Sequence, residues 1–92
     1  NISSGKKFTW AGAIWYCKDL TLGGSSTWRL PNEGELGSLN DSNIKESLKI
    51  TGRYWTREDN GHIRDSAMFY DSDENRAWSN PQSTYYRVIC VN

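Results

Sequence analysis

Oxygen-bearing and ring-bearing side chains gather in the second half of the chain. Asp71, Asp73 and Asn75 alternate along it, the spacing with which a calcium loop presents its first ligands. An EF-hand would continue with Gly at its sixth position and Glu at its twelfth, where Arg76 and Gln82 stand. An irregular calcium site and a plain acidic turn are the two readings of this run. Five Trp and five Tyr in 92 residues exceed what a small core needs. Rings flanked by amides and carboxylates suit recognition of sugar hydroxyls. Tyr70, Trp78 and Tyr85 lie beside polar loops that carry Asp59, Asn60, Arg64, Asp71, Asp73, Asn75 and Asn80. Together these predict a shallow ligand-binding surface, with part of the rings expected in the core instead.

Catalysis finds less support. His62, the single histidine, falls in a predicted hairpin turn beside Gly61, where a solvated side chain is the expectation. No serine stands in a nucleophile-elbow context, and no Cys–His pair is in view. Glu33 and Glu35 read as helix-start residues favoured by the helix dipole. A small hydrolase with two carboxylates in a cleft is the enzymatic alternative; the expectation is no enzyme. Eleven basic and eleven acidic residues cancel, which removes the global field that nucleic acid or an anionic membrane would need. Lys45, Lys49, Arg53 and Arg57 could form a local basic strip, with a solvated face as the plainer reading.

The elements that would position these residues centre on Trp28–Leu36. Pro31 pushes Leu30 extended, Asn32 is a good N-cap, and Glu35 three residues later completes a capping box. Arg29 is expected to brace this corner by pairing with Glu33 or Glu35. Upstream, Lys6 to Thr9 reads as a first strand, and Thr9 caps a helix from Trp10 to about Leu20. Trp10, Ala13, Ile14 and Cys17 form its buried face, and Trp15 is expected as flanking core. Leu22 to Ser26 is a turn. A second helix runs to about Leu39, and a short helical turn follows, with Ile44, Leu48 and Ile50 inward. Alternation then predicts strands over Arg53 to Glu58, Ser66 to Tyr70, a short one at Ala77 and Trp78, and Thr84 to Val91. Asn60-Gly61 suits the first hairpin connection, and Ser79 to Gln82 reads as a turn. Two helices followed by a strand meander predict an α+β domain.

Cys17 and Cys90 lie near opposite ends with no metal-ligand spacing around them. They read as a disulfide from first helix to last strand; two buried free thiols of a cytosolic protein are the alternative. At this length residues 1–92 form one domain. The chain opens on Asn with no signal-peptide or membrane-span pattern, so it reads as a mature or excised module of a larger exported protein.

An ordered set of motifs carries a family resemblance. Thr9-Trp10-Ala11, Ala13-Ile14, Tyr16-Cys17, Leu20-Thr21-Leu22-Gly23-Gly24, Trp28-Arg29-Leu30-Pro31-Asn32, Glu35-Leu36, Tyr54-Trp55-Thr56 and Arg87-Val88-Ile89-Cys90-Val91 span nearly the whole chain. The sequence resembles the DUF1566 family, which includes the C-terminal domain of the Legionella collagen-like adhesin. That resemblance implies a C-type-lectin-like fold, with two helices on a small, mainly antiparallel sheet, in secreted or surface-exposed bacterial proteins. It favours the disulfide over free thiols. The Glu-Pro-Asn and Trp-Asn-Asp triplets of calcium-dependent animal lectins are missing. The expected function is adhesive: a lectin-like module recognising surface glycan, without a cofactor unless calcium binds, on a bacterial surface or pilus-type appendage. A protein–protein, trimerisation or capping module of a stalk is the alternative. No nucleic-acid partner or membrane insertion is expected, and homo-oligomerisation would come through the parent protein.

Overall fold

The computed structural model describes residues 2–21, 24, 27–41, 50–59, 61 and 63–92. Among the described residues five strands and two helices appear, in the order β1 (Ile2–Phe8), α1 (Trp10–Lys18), α2 (Glu33–Asn40), β2 (Arg53–Asp59), β3 (Ser66–Asp71), β4 (Arg76–Pro81) and β5 (Tyr86–Cys90). They make one sheet of order β1-β5-β2-β3-β4. β5 therefore inserts between the first strand and the β2–β3–β4 meander. It pairs antiparallel with β1 and parallel with β2, so the sheet is mixed.

Strand alternation sorts the core into two layers. Trp55, Phe69, Tyr86, Val88 and Cys90 face α1 and pack with Ala13, Cys17 and Leu30. Tyr54, Tyr70, Ile89 and Val91, one residue out of phase, face α2 and pack with Leu36, Leu39 and Ile50. The two helices thus cover opposite faces of the sheet. The Cys17–Cys90 disulfide is formed, with Cα atoms 5.5 Å apart and both residues fully buried, and ties α1 to β5.

α1 begins where Thr9 accepts a hydrogen bond from the Gly12 amide at 3.2 Å. It stops at Lys18, two residues short of expectation. Ile14 and Trp15 are corrections: both are exposed, Trp15 at 58%. Ala13 and Cys17 are the helix's buried residues, and their small side chains let it approach the sheet closely over a narrow stripe. Trp15, two positions from each and so near the far side of the helix, is left outward. The indole N–H groups of Trp10 and Trp55 instead donate to the carbonyls of Thr56 (2.8 Å) and Phe8 (2.7 Å), locking the helix and β1 to the sheet.

The Trp28–Leu36 corner forms as expected. Asn32 accepts from the Glu35 amide at 2.7 Å, and Glu35 Oε1 accepts from the Asn32 amide at 2.8 Å. Arg29 pairs with Glu35 through both terminal nitrogens at 2.8 Å. Its backbone forms an antiparallel bridge with Val91, joining the corner to the end of β5. This pairing and the Asn32 amide hold the Glu35 carboxyl down at about 2.

Three further differences concern the meander. β4 absorbs Ser79, Asn80 and Pro81, which were expected to turn; on this edge strand a missing Pro N–H does not interrupt an inner ladder. The β2–β3 connection is longer than a two-residue hairpin and closes on Asp65 with φ +59°. β1 starts at Ile2 and runs longer than expected. The expected turn around Leu22, Gly23, Ser25 and Ser26, the helical turn carrying Ile44 and Leu48, and Lys45, Lys49, Asn60 and His62 lie outside the described residues.

Candidate functional site

The sheet's two ends divide the expected ligand residues. Arg53 pairs with Asp71 across β2 and β3, and Asp59 pairs with Ala67 at the other end. Six residues of strand separate these ends, about 20 Å. Asp59 and Arg64 belong to the far end and are exposed there. Asp71, Asp73 and Tyr85 belong to the near end, where β2 and β5 begin and β1 and β3 finish. The expected loops therefore do not converge on one surface, and Asn60 lies outside the described residues.

At the near end a pocket of about 370 Å³ is lined by Lys7, Gly52, Arg53, Asp71, Asp73, Tyr85, Tyr86 and Arg87. Its walls are well determined by chain geometry. Gly52 has φ +88°, a left-handed conformation that side chains resist, and a Cβ there would fall 2.6 Å from Arg87 Nη1. That guanidinium donates to the Thr51 carbonyl at 2.8 Å. Lys7 and Arg87 are directly paired across β1 and β5, so two cations stand side by side at the pocket's edge. Thr51 Oγ1 donates to Asp73 at 3.4 Å. Tyr85, at 64% exposure, presents an open ring on the rim.

The inner wall is an arginine set among rings. Arg53 lies over Phe69, Trp78 and Tyr86 at 5.2, 5.5 and 6.0 Å from their centroids and donates to Asp71 at 3.2 Å. Arg76 lies over Trp78 at 4.7 Å, and Trp78 meets Phe69 edge-on. Trp78 is thus half-buried and already engaged by two guanidiniums, so it shapes the wall rather than offering a bare ring. Asn80 is turned inward and donates to the Tyr86 hydroxyl. Of the four cations weighed as a basic strip, Arg53 is committed to this wall and Arg57 is exposed further along β2, while Lys45 and Lys49 lie outside the described residues.

Asp71, Asp73 and Asn75 form a turn, but their side chains point to different partners. Asp71 Oδ1 accepts from the amides of Asp73 (2.9 Å) and Glu74 (3.2 Å), while Oδ2 takes Arg53. Burial pushes the Asp71 carboxyl up, but these amides and Arg53 outweigh it and hold the group below its ordinary value. Asn75, at φ +54°, accepts from the Tyr70 hydroxyl on the opposite face of the sheet. Tyr70 itself is only 3% exposed, bonded also by Asn40 at 3.1 Å, and its burial pushes the phenol up. Among the described residues no three His, Cys, Asp or Glu side chains cluster as a metal would require.

Sequence reasoning missed Lys7, Gly52, Arg53, Tyr86 and Arg87 as pocket residues. Gly52 carried a weak signal as a glycine ending one segment, whereas Lys7 meets Arg87 only because β5 returns beside β1.

These features define a small disulfide-linked α+β domain, a mixed five-stranded sheet with one helix on each face and a polar pocket at one end. The chain belongs to the Lcl C-terminal domain family, whose family model matches residues 1–92. Comparison with curated proteins gives no match.

Proposed function

We propose that this is a non-catalytic adhesion module of a surface-exposed bacterial protein, with a C-type-lectin-like and DUF1566-type architecture, and that its near-end pocket takes a saccharide. The observation that carries the reading is the open Tyr85 ring beside Lys7, Asp73 and Arg87. A sugar ring stacks its apolar face on such a ring while its hydroxyls meet charged donors and acceptors around it. Membership of a family named for a C-terminal domain supports a terminal binding module, and the disulfide fits an exported protein. A single shallow pocket binds weakly, so affinity in use comes from several copies displayed by the parent protein. Recognition is calcium-independent in this reading, since the Asp71 oxygens are already occupied.

The test is a glycan array probed with the oxidised domain in multivalent form, with calcium and with chelator. Binding that survives chelation, falls about tenfold with Tyr85→Ala and is unchanged by Arg64→Ala is expected, a tenfold loss being about 1.4 kcal/mol. A blank array with folded protein, or hits insensitive to Tyr85→Ala, overturns the reading.

A further inference from the structure

At the opposite end of the sheet from the Tyr85 pocket, a second pocket of about 370 Å³ lies between α1 and the corner, lined by Ile14, Lys18, Trp28, Arg29, Leu30 and Arg57. It shares no residue with the first. Leu30 is buried at its base, while Ile14 and the neighbouring Trp15 leave large apolar side chains in solvent. Its three cations differ in commitment. Arg29 spends both terminal nitrogens on Glu35. Lys18 rests over the Trp15 ring at 4.8 Å, and among the described residues Arg57 faces only the field of the Glu35 carboxylate, which is hydrogen-bonded to Arg29. No carboxylate lines the pocket, and the nearby Glu58 is turned to the Glu33 amide at 3.0 Å. The Trp28 indole N–H is shielded and has no acceptor among the described residues, an unfavourable state for a buried donor.

We infer that this face docks an acidic peptide segment carrying a bulky apolar side chain. Charge complementarity selects the acid: Lys18, Arg29 and Arg57 line the pocket against one neighbouring carboxylate, Glu35, already spent on Arg29, which leaves the rim with surplus positive charge. The apolar lining selects the rest, since Ile14, Leu30 and the Trp28 ring would seat a Leu-sized or aromatic group, with the Trp15 ring adjoining the rim beneath Lys18. Exposed Trp together with Arg is the composition at which binding energy concentrates in protein interfaces. A peptide also brings backbone carbonyls, the acceptor that the Trp28 N–H lacks. A polyanionic polysaccharide would satisfy the cations but leave the apolar lining unmatched.

The test is a nitrogen-15 NMR titration of the disulfide-intact domain with short synthetic peptides in which Leu, Phe or Trp is flanked by Glu. Gln-flanked and Lys-flanked counterparts and a sulfated oligosaccharide serve as comparisons. The Glu-flanked set should shift the amides of Ile14, Trp15, Lys18 and Arg57 and the Trp28 indole signal. Affinity should fall about tenfold or more with Lys18→Glu combined with Arg57→Glu, and it should fall with Trp15→Ser, an exposed position whose loss leaves the core intact. Tyr85→Ala should leave the titration unchanged, which separates this site from the saccharide pocket. Absence of shifts at this face with every Glu-flanked peptide at millimolar concentration overturns the inference. So does an equal response to Lys-flanked peptides, or a response to the sulfated oligosaccharide alone.

Discussion

Gly52 and Arg87 show how single residues set the near-end pocket. Gly52 sits at φ +88° with the Arg87 guanidinium where a Cβ would project, so any side chain there meets both backbone strain and a cation. Gly52→Ala is expected to destabilise the domain by about 1–2 kcal/mol, the usual cost of a left-handed conformation for a residue with a Cβ. It should also displace Arg87 from the Thr51 carbonyl and lower saccharide binding. Thermal unfolding and the glycan array check the two effects separately; a variant as stable as the parent would remove the steric argument. Neighbouring Asp71 illustrates the opposite outcome at this scale. Its spacing with Asp73 and Asn75 looked like ligand geometry, but local backbone amides claimed its oxygens first. Short polar side chains in turns bond their own backbone readily, which makes such spacing ambiguous until the turn is seen.

The corner is the element on which the two helical layers and β5 meet. Glu35 serves it twice, as the N3 residue of the capping box and as the partner of Arg29. Because its carboxyl is held at about 2 in the folded chain, below the ordinary 4.5, its contribution is complete above the ordinary value. It is lost as pH falls through about 2. Glu35→Ala should cost about 1 kcal/mol at neutral pH, the usual scale of a cap together with a solvent-accessible ion pair. Glu35→Gln keeps the cap acceptor and removes the charge, so it should cost less and flatten the acid limb of stability between roughly pH 5 and 2. Denaturant unfolding across that pH range checks both, and an unchanged acid limb in Glu35→Gln would place the effect on other carboxylates.

At the scale of the whole molecule, the disulfide spans 73 residues of sequence and joins α1 to a strand paired on both sides. On the chain-entropy account, closing a loop of that length stabilises the fold by about 4 kcal/mol. For a domain this small that is a large share of total stability. Reduction, or Cys17→Ala with Cys90→Ala, should lower the melting temperature by roughly 15–30 °C, at about 4–8 °C per kcal/mol. Calorimetry with and without reductant measures this. A shift of only a few degrees would mean that the two packed layers hold the fold without the link. Both pockets should weaken together on reduction, since each is bounded by α1, β1 or the ends of β5.

How much could be read from the chain follows from the range of the forces involved. Capping, strand alternation and turn chemistry act over a few residues. Asn32 with Glu35, the phase of Tyr86, Val88 and Cys90, and the α+β order of elements were therefore legible in sequence. The Cys17–Cys90 link was legible because only two cysteines exist. What depended on β5 entering between β1 and β2 was not, because strand order is set by contacts among residues far apart in the chain. That insertion put Lys7 beside Arg87, and the sheet's length kept Asp59 and Arg64 away from Asp71 and Tyr85. Trp15 likewise followed from tertiary contact: Ala13 and Cys17 made the helix's buried stripe narrow, and the ring was left in solvent. Local physics determined the elements in this protein, and long-range packing decided which of their side chains share a surface.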